Sequence, residues 1–325
     1  MERGRHVKGR RAPVRRRTGL LAGGALVAVF ALLIGLTLTS GGGDSQPSSP
    51  ASTPPTLSES ASSATSVDPK APRVITFPGS AGSAPDAKAW NYETGGNGWG
   101  NGELQTYTSS TANAFLDGTG RLVIRAIKGS LRGSDGITRQ YSSARITTAK
   151  KVVIQPGSYV SATMTVPTAA GVWPAFWLIG ADVDSVGWPQ AGELDVYEGD
   201  APSPSIAQAA IHLPSSADPS VDKPYDHHAP GGAVDIGVPL DAAPHEYGVY
   251  FDGSVVRFFV DRKPTMVVTA ADATAAGRLW PFAKPQYLIL NVAIAGSGNA
   301  SSASFPQDLV VENISIWPAG IPFSF

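Results

Sequence analysis

Three carboxylates, Glu193, Asp195 and Glu198, lie within one six-residue segment, ELDVYE. Because side chains along a β-strand alternate between its two faces, Glu193 and Asp195 share a face and Glu198 points to the other. One β-bulge between Asp195 and Glu198 restores the parity and brings all three carboxylates to one surface. Like charges on one face destabilise a strand, so a purely structural strand has little reason to carry them. The spacing therefore predicts a bulged strand with a chemical role.

Carboxyl groups that share one surface can cleave a glycosidic bond. In retaining enzymes an ionised carboxylate attacks the sugar while a protonated carboxyl, about 5–5.5 Å away, donates its proton to the leaving oxygen. A third carboxylate between the two helps to separate their pKa values, because close like charges resist simultaneous ionisation. The spacing of residues 193–198 is compatible with this arrangement and indicates a glycan-cleaving site.

Tryptophans are concentrated beside this segment, at Trp173, Trp177 and Trp188. Aromatic rings stack on the apolar C–H faces of sugars, which makes such a group typical of a glycan site. Trp173 and Trp177 are four residues apart and share a face of an unbulged strand. Each tryptophan taken alone could equally belong to a hydrophobic core. The density of the group beside the acids is what favours a binding role.

The region after residue 73 reads as short β-strands between turns. Residues 246–261 form the clearest unit, a hairpin with Asp252-Gly253 as its two-residue turn. No stretch of this region keeps a 3.6-residue apolar period. Eight or more strands without helical crossovers predict an all-β, two-sheet sandwich of the jelly-roll kind. The other predicted strands are residues 121–127, 152–154, 159–166, 206–213, 287–294 and 309–317.

The first 72 residues differ from the rest of the chain. Residues 1–17 contain eight Lys or Arg and one acid, and predict a basic cytoplasmic tail. Residues 18–40 are uncharged and predict a transmembrane signal-anchor, with a cleaved signal peptide, including a twin-arginine type, as the alternative. Residues 41–72 are rich in Ser, Pro and Thr and predict a disordered linker. Both alternatives export the domain predicted at 73–325, to the cell membrane or into the medium.

Composition narrows the choice of partners. The chain has 325 residues, no cysteine and a net charge of −1. Residues 18–325 hold 17 basic and 25 acidic residues, so this part has a net charge of −8. An acidic body argues against nucleic-acid binding. The lack of cysteine excludes disulfides, thiolate metal sites and a cysteine nucleophile.

These features resemble glycoside hydrolase family 16, in particular its bacterial laminarinase-like (endo-1,3-β-glucanase) branch. The family core runs Glu, Ile or Leu, Asp, Ile or Val, any one residue, Glu, and residues 193–198 match it. Two residues between the Asp and the second Glu are typical of the laminarinase-like branch, whereas lichenases and plant xyloglucan enzymes have one. Other matching blocks are WNYE at 90–93, GWGN at 98–101, ELQ at 103–105, SARITT at 143–148, VWPAFW at 172–177 and GWP at 187–189.

The resemblance implies a concanavalin A-like jelly-roll with a cleft on its concave sheet, and hydrolysis with retention of anomeric configuration. At the matching positions it implies Glu193 as nucleophile, Glu198 as general acid/base and Asp195 as their electrostatic partner. The implied activity is hydrolysis of internal β-1,3-glucosidic bonds in a laminarin-type β-glucan. The substrate-binding residues it implies are Asn101, Arg145, Trp173, Trp177, Trp188 and His212.

Several alternatives stay open at this point. A lone histidine such as His212 on a strand can be simply a satisfied, half-buried residue. The same architecture serves other β-glucans and galactans, and a transglycosylase uses the same acids. Some relatives bind glucan without cleaving it, but these typically lack one or both glutamates. Residues 295–299, AGSGN, lack a tryptophan that relatives carry, which indicates an altered sugar subsite. We expect a monomer.

We expect no metal or other cofactor. Several members of the family hold a structural calcium ion near the positions of Thr76 and Glu312, and the residues that stand there in this chain argue against it. Asp182 and Asp184 could contact calcium, although a solvated loop is the simpler interpretation. Residues 225–228, YDHH, invite a metal interpretation, but adjacent histidines in a loop rich in Pro and Gly, without a third placed ligand, predict exposed side chains.

Overall fold

The computed structural model describes residues 71–199, 203–296 and 298–325. The predicted basic tail (1–17) and membrane segment (18–40) lie outside these residues, as does nearly all of the predicted linker (41–72). Within the described ranges, no helix is both long and apolar enough to cross a bilayer. The anchor, the signal-peptide alternative and the linker therefore stay predictions.

Short strands and three very short helices make up the described part of the chain. The strands are β1 (Arg73–Ile75), β2 (Asn91–Glu93), β3 (Thr106–Tyr107), β4 (Ala114–Leu116), β5 (Leu122–Arg132), β6 (Thr138–Ser143), β7 (Arg145–Thr147), β8 (Ser158–Thr165), β9 (Val172–Gly180), β10 (Glu193–Glu198), β11 (Ile206–His212), β12 (Ala233–Asp235), β13 (His245–Phe251), β14 (Val255–Val260), β15 (Lys263–Thr269), β16 (Gln286–Ile294) and β17 (Gln307–Trp317). The helices are α1 (Val183–Val186), α2 (Ala270–Ala275) and a 3-10 helix (Ala300–Ser302).

The strands form two sheets. In the ten-stranded sheet the order is β15-β14-β13-β8-β17-β5-β6-β3, with β1 beside β17 and β4 beside β5. In the seven-stranded sheet the order is β12-β11-β10-β9-β16-β7-β2, and every neighbouring pair is antiparallel. Many spatial neighbours, such as β8 and β17, are distant in sequence. The predicted all-β, two-sheet sandwich is confirmed.

The alternation of side chains along β9 shows how the sandwich is filled. Phe176 and Leu178 are fully buried in the main core between the sheets. Trp177 and Ile179 belong to a separate apolar cluster on the opposite, outward face of the seven-stranded sheet. The adjacent β16 is buried along its whole length, and its sequence QYLILNVAI is correspondingly poor in charge. The outward face of this sheet therefore also buries side chains, so it can hold a site that is sheltered from solvent.

Five of the six single strands predicted from the sequence are present, with ends that coincide with the prediction or are shifted by up to five residues. They correspond to β5, β8, β11, β16 and β17. The strand predicted at 152–154 is wrong, because only Ile154 makes an isolated bridge, to Gln286. The backbone N–H groups of Lys151 and Val152 both donate to the carbonyl of Thr148 at 2.9 Å, so the segment begins in a turn. Proline at position 156 then ends it before a ladder can form.

The predicted hairpin is present as β13 and β14, but its turn lies one residue further along the chain. The N–H of Asp252 donates to the carbonyl of Val255 at 3.0 Å, so Gly253 and Ser254 are the two turn residues. The Asp252 carboxylate accepts hydrogen bonds from the N–H groups of Ser254 (2.7 Å) and Val255 (2.9 Å). Aspartate therefore serves as the residue before the turn, whose side chain satisfies the turn's donors.

Candidate active site

Strand β10 carries a bulge between its second and third acids. From Asp195 to Glu198 the strand advances three residues, while its partner β11 advances two, from Ala210 to Gln208. The register against β9 shifts at the same place. The two residues between the acids both turn into the main core. Glu198 thereby returns to the face that carries Glu193, and the predicted bulge is confirmed.

The three acids lie in a cleft of about 650 Å³ on the outward face of the seven-stranded sheet. The lining crosses five adjacent strands, from β11 through β10, β9 and β16 to β7. All nine site residues predicted from the sequence contribute to this lining: Asn101, Arg145, Trp173, Trp177, Trp188, Glu193, Asp195, Glu198 and His212. The fold thus brings into one cleft residues that are more than a hundred positions apart.

Burial sets the protonation of the two glutamates. It raises the pKa of Glu193 to about 8, and the nearby charge of Asp195 acts in the same direction. Burial also raises the pKa of Glu198 to about 8, again with Asp195 as the next cause. Burial therefore favours the protonated form at both glutamates, and a charge on Glu198 raises the pKa of Glu193 further. Loss of one proton thus discourages loss of the second, which leaves one ionised and one protonated carboxyl over part of the pH range.

The surroundings of the two glutamates differ. The imidazole Nε2 of His212 lies 3.9 Å from Glu193, and the positive charges of His212 and Arg145 both oppose the rise in the pKa of Glu193. Glu198 accepts a hydrogen bond of 3.3 Å from the indole N–H of Trp173, and the charge of Asp226 adds to the rise in its pKa. His212 opposes the rise in pKa at both glutamates, and the hydrogen bond from Trp173 also opposes it at Glu198. The two sites differ in that the cation Arg145 acts on Glu193, whereas the anion Asp226 acts on Glu198.

His212 is half-buried on β11 and lies between two aspartates. Its Nδ1 is 2.7 Å from Asp222, and its Nε2 is 3.3 Å from Asp195. Burial alone lowers the pKa of an imidazole, but the contacts with these two carboxylates outweigh it and raise the pKa of His212 to about 11. His212 is therefore an imidazolium that faces the acids. Asp222 lies in the loop after β11, and nothing in the local sequence distinguished it.

The three predicted tryptophans have unequal access to the cleft. Trp188 is 49% exposed, and its ring lies 5.8 Å from the ring of His212. Trp173 is half-buried beside Glu198. Trp177 is only 8% exposed, and the guanidinium of Arg145 lies 4.6 Å from the centre of its ring. Trp188 and Trp173 can stack on a sugar directly, whereas Trp177 acts as the floor that supports Arg145.

Arg145 is held from three sides. Its guanidinium lies between the rings of Trp177 and Trp99, 4.8 Å from the centre of the latter. Its Nε donates to the carboxylate of Glu93 on the neighbouring β2. Stacking and pairing of this kind fix a guanidinium in one orientation. Trp99 and Glu93 were not selected from the sequence, although both lie in blocks that resemble the family.

Other lining residues were also missed. They are Trp99, Gly100, Glu103, Ala175, Ile179, Ala210, Pro224, Asp226, His227, Asn291 and Ala293. Glu103 carried a signal, because it belongs to the block at 103–105. Asn291 lies in the strand predicted at 287–294 and Asp226 in the segment considered for a metal, but neither was selected for the cleft, since each becomes a cleft residue only through the pairing of distant strands and loops.

The two segments that were considered as metal sites both lie within the described residues. Asp182 and Asp184 pair with lysines, Lys284 at 2.6 Å and Lys150 at 3.0 Å. Both aspartates lie at the start of the short helix α1 and not in the expected loop. His227, which lines the cleft, and His228 are both exposed, as predicted. Together with Asp226 they bring three ligand atoms within 4.8 Å of one another, an arrangement that could hold a transition-metal ion.

Known proteins with similar sequences include glycoside hydrolases, in agreement with the geometry of the site. A family model described as "XgeA-like, catalytic GH16 domain" matches residues 103–229. The chain is 32% identical over 248 residues to a Rhodothermus marinus protein named "Beta-glucanase", covering 72% of this chain and 80% of that protein. This similarity extends well beyond the segment around the three acids.

Solved structures agree with this similarity. The structure of an endo-β-1,3-glucanase from Pyrococcus furiosus is similar with a TM-score of 0.62 and 31% identity, covering 71% of this chain and 88% of that one. The laminarinase catalytic domain from Thermotoga maritima is similar with a TM-score of 0.61 and 32% identity, covering 71% and 92%. The chain therefore belongs to glycoside hydrolase family 16, and the domain that carries the cleft is a glycoside hydrolase.

Proposed function

We propose that the protein is an extracytoplasmic, retaining endo-β-glucanase that hydrolyses internal β-1,3-glucosidic bonds in laminarin-type glucans. The observation that carries the proposal is the bulged strand β10, which presents three carboxylates to one cleft. The names of the similar proteins, a β-glucanase, an endo-β-1,3-glucanase and a laminarinase, support a β-glucan as substrate. No second function is favoured by a feature of the site.

In the first step the ionised carboxylate of Glu193 attacks the anomeric carbon of the sugar on its side of the bond. The bond between that carbon and the glycosidic oxygen breaks, and its electron pair stays on the oxygen. Protonated Glu198 gives its proton to this oxygen, so the leaving sugar departs as an alcohol. The product of this step is a glycosyl ester on Glu193.

In the second step water replaces the departed sugar. Glu198, now ionised, takes a proton from the water as its oxygen attacks the anomeric carbon. The ester bond breaks, and its electron pair returns to the carboxylate of Glu193. Two inversions leave the configuration as it began. Asp195 lies between the two glutamates, and its contact with the imidazole of His212 at 3.3 Å holds it in place.

The shape of the cleft supports cleavage within a chain. Its lining extends across five strands, so sugars can bind on both sides of the acids. Trp188 and Trp173 supply ring faces, and Arg145 and Asn101 supply polar groups for hydroxyls. Such sites on both sides of the scissile bond favour internal over terminal bonds.

The location rests on residues 1–40. A basic tail followed by an uncharged apolar stretch supports a single-pass anchor with the catalytic domain outside the cytoplasm, and secretion is the alternative. The membrane is then the second partner of the protein besides the glucan. A monomer suffices, since all nine predicted site residues come from one chain.

The substrate is tested by digesting a panel of laminarin, lichenan, agarose and galactans and sizing the products. We expect laminarin to be cut fastest, with oligosaccharides of several sizes released early, because an endo-acting enzyme cuts at internal bonds. Preferred cleavage of agarose or a galactan contradicts the proposed substrate. Release of single glucose units alone contradicts the endo mode, and products longer than the starting chains identify a transglycosylase.

Asparagine in place of Asp195 is expected to move the whole pH–activity profile to lower pH. The charge of Asp195 raises the pKa of both Glu193 and Glu198. Without it both carboxyls ionise at lower pH, so Glu193 becomes a competent nucleophile earlier and Glu198 loses its proton earlier. We expect both limbs to move down by about one pH unit, together with a lower maximum rate.

The measurement is kcat/KM for laminarin across the pH range for the wild-type protein and for Asp195→Asn. The matched control is Asp135→Asn, which removes an exposed aspartate that pairs with Arg139 far from the acids in sequence. The control profile should coincide with that of the wild type. A profile for Asp195→Asn that stays in place or moves up contradicts the assigned electrostatic role.

A further inference from the structure

A buried carboxylate lies in the cleft wall and takes no part in the proposed chemistry. Glu103 is 7% exposed and stands on the loop before β3. Its Oε2 accepts hydrogen bonds from the amide of Gln105 at 2.5 Å and from the hydroxyl of Tyr107 at 3.0 Å. Its Oε1 accepts one from the amide of Asn101 at 3.4 Å. A buried carboxylate is costly unless such donors satisfy it, so its retention in the wall calls for an explanation.

The first consequence concerns Asn101. A carboxylate is an acceptor only, so the side-chain nitrogen of Asn101, and not its oxygen, must face Glu103. The amide oxygen is then the atom that is available to the cleft, which Asn101 lines as an exposed residue. Glu103 thereby orients the amide of Asn101 so that this part of the wall accepts hydrogen bonds from sugar hydroxyls.

The second consequence concerns the cleft floor. The indole N–H of Trp177 donates to Asn291 Oδ1 at 2.7 Å, and Asn291 Nδ2 donates to the hydroxyl of Tyr107 at 3.1 Å. Tyr107 in turn donates to Glu103. In this series of hydrogen bonds every donor points toward the carboxylate of Glu103, and bonds aligned in one direction strengthen one another. The other end of the series is Trp177, whose ring supports the guanidinium of Arg145.

Glu103 also connects the wall to β16, one of the five strands that line the cleft. Gln105, which donates to Glu103, accepts through its Oε1 from the backbone N–H of Ile294 on β16 at 2.7 Å. Leu104, which lies between Glu103 and Gln105, donates from its backbone N–H to the carbonyl of Ile294 at 2.9 Å. The loop that carries Asn101 is therefore bound to β16 by two hydrogen bonds, one to the backbone N–H of Ile294 and one to its carbonyl.

We propose that Glu103 is a positioning residue for substrate binding: as the common acceptor of Asn101, Gln105 and Tyr107, it fixes the wall and, through Asn291 and Trp177, the seat of Arg145. It does not contact the reacting atoms. The activity test rests on the proposed function, because it needs a glycan that the protein cleaves.

Glutamine in place of Glu103 keeps the shape but presents an N–H₂ group to partners that are all donors. We expect KM for the glycan that the wild type cleaves fastest to rise about tenfold, the size expected when a buried hydrogen-bond partner is mismatched, with kcat changed less than about threefold. In Asn101→Ala, the same substitution should raise KM by a smaller factor than it does in the wild type, because one of the two routes by which Glu103 acts runs through Asn101.

A second readout needs no substrate. The indole N–H resonance of Trp177, identified among the seven tryptophans by its loss in Trp177→Phe, should shift in Glu103→Gln because the hydrogen-bond chain that ends on Glu103 is altered. This arm separates failure of the inference from failure of the proposed substrate, since it is measured on the full chain without any glycan.

The matched control is Asn113→Ala. Asn113 is equally buried and makes three hydrogen bonds, with Thr108, Ser142 and the carbonyl of Arg125, but it does not line the cleft. It should lower the unfolding temperature while leaving KM and the Trp177 resonance in place. The inference is overturned if Glu103→Gln leaves KM or the Trp177 resonance unchanged, if it lowers only kcat, or if Asn113→Ala raises KM equally.

Discussion

Replacing Glu193 with glutamine is expected to lower kcat for laminarin by at least about 10⁴-fold, the scale seen when a catalytic nucleophile is removed. Glutamine has nearly the same shape but no negative charge, so it can neither attack the anomeric carbon nor form the glycosyl ester. The fold should be unaffected, because the substitution removes a buried charge beside Asp195 and so relieves repulsion. Activity and thermal unfolding are measured on the same preparation.

The matched control for this substitution is Glu312→Gln, which removes a glutamate charge on β17 of the other sheet. It should retain wild-type kcat. Retention of a tenth or more of the activity in Glu193→Gln refutes the nucleophile role. Loss of activity together with loss of the cooperative unfolding transition would instead assign Glu193 a structural role.

Replacing Glu198 with alanine is expected to lower kcat for laminarin by about 10³-fold or more, since the leaving oxygen then receives no proton. The defect should depend on the leaving group. An activated aryl β-glucoside needs little protonation to depart, so Glu193 is still glycosylated, and the second step becomes slow because no base activates water. Azide needs no base and fits the space that the carboxylate vacates.

Azide should therefore raise the rate of Glu198→Ala with the aryl glucoside several-fold and leave the wild-type rate unchanged. The product should be the β-glucosyl azide, since attack on the glycosyl ester of Glu193 inverts the configuration a second time. Product analysis by NMR checks this. An α-azide, or no stimulation in the presence of a measurable basal rate, contradicts the acid/base assignment.

The bulge in β10 shows what local sequence can predict. The acids of this segment alternate except for one extra residue, and the segment consists of strand-forming residues. A bulge explains both features, and the register of β10 against β11 shows that bulge. The long apolar strands β8, β16 and β17 were equally readable, because period-two patterns and continuous apolar runs are local properties.

The contacts that hold the site residues in place were harder to predict from the sequence. Asp222 holds His212 at 2.7 Å, yet it lies ten residues away in an irregular loop without a pattern. Glu103 meets Asn291 through Tyr107 only because β16 runs beside the loop before β3. Such contacts depend on which strands become neighbours, which no local pattern encodes.

The predictions at 152–154 and at the hairpin turn failed for local reasons. A β-branched pair, Val152 and Val153, suggested a strand, but a turn on one side and a proline on the other left no room for a ladder. The pair Asp252-Gly253 is a favoured turn, but the aspartate side chain is more effective as the acceptor just before the turn.

The most direct test of the proposed mechanism is to trap the covalent intermediate. A laminaribiosyl fluoride with fluorine at C2 glycosylates a retaining enzyme quickly, and the ester then hydrolyses slowly because the fluorine destabilises the oxocarbenium-like transition state. Peptide mapping of the labelled protein by mass spectrometry should place the sugar on Glu193. A label on Glu198 or on another residue, or an unlabelled protein that still cleaves laminarin, would contradict the account.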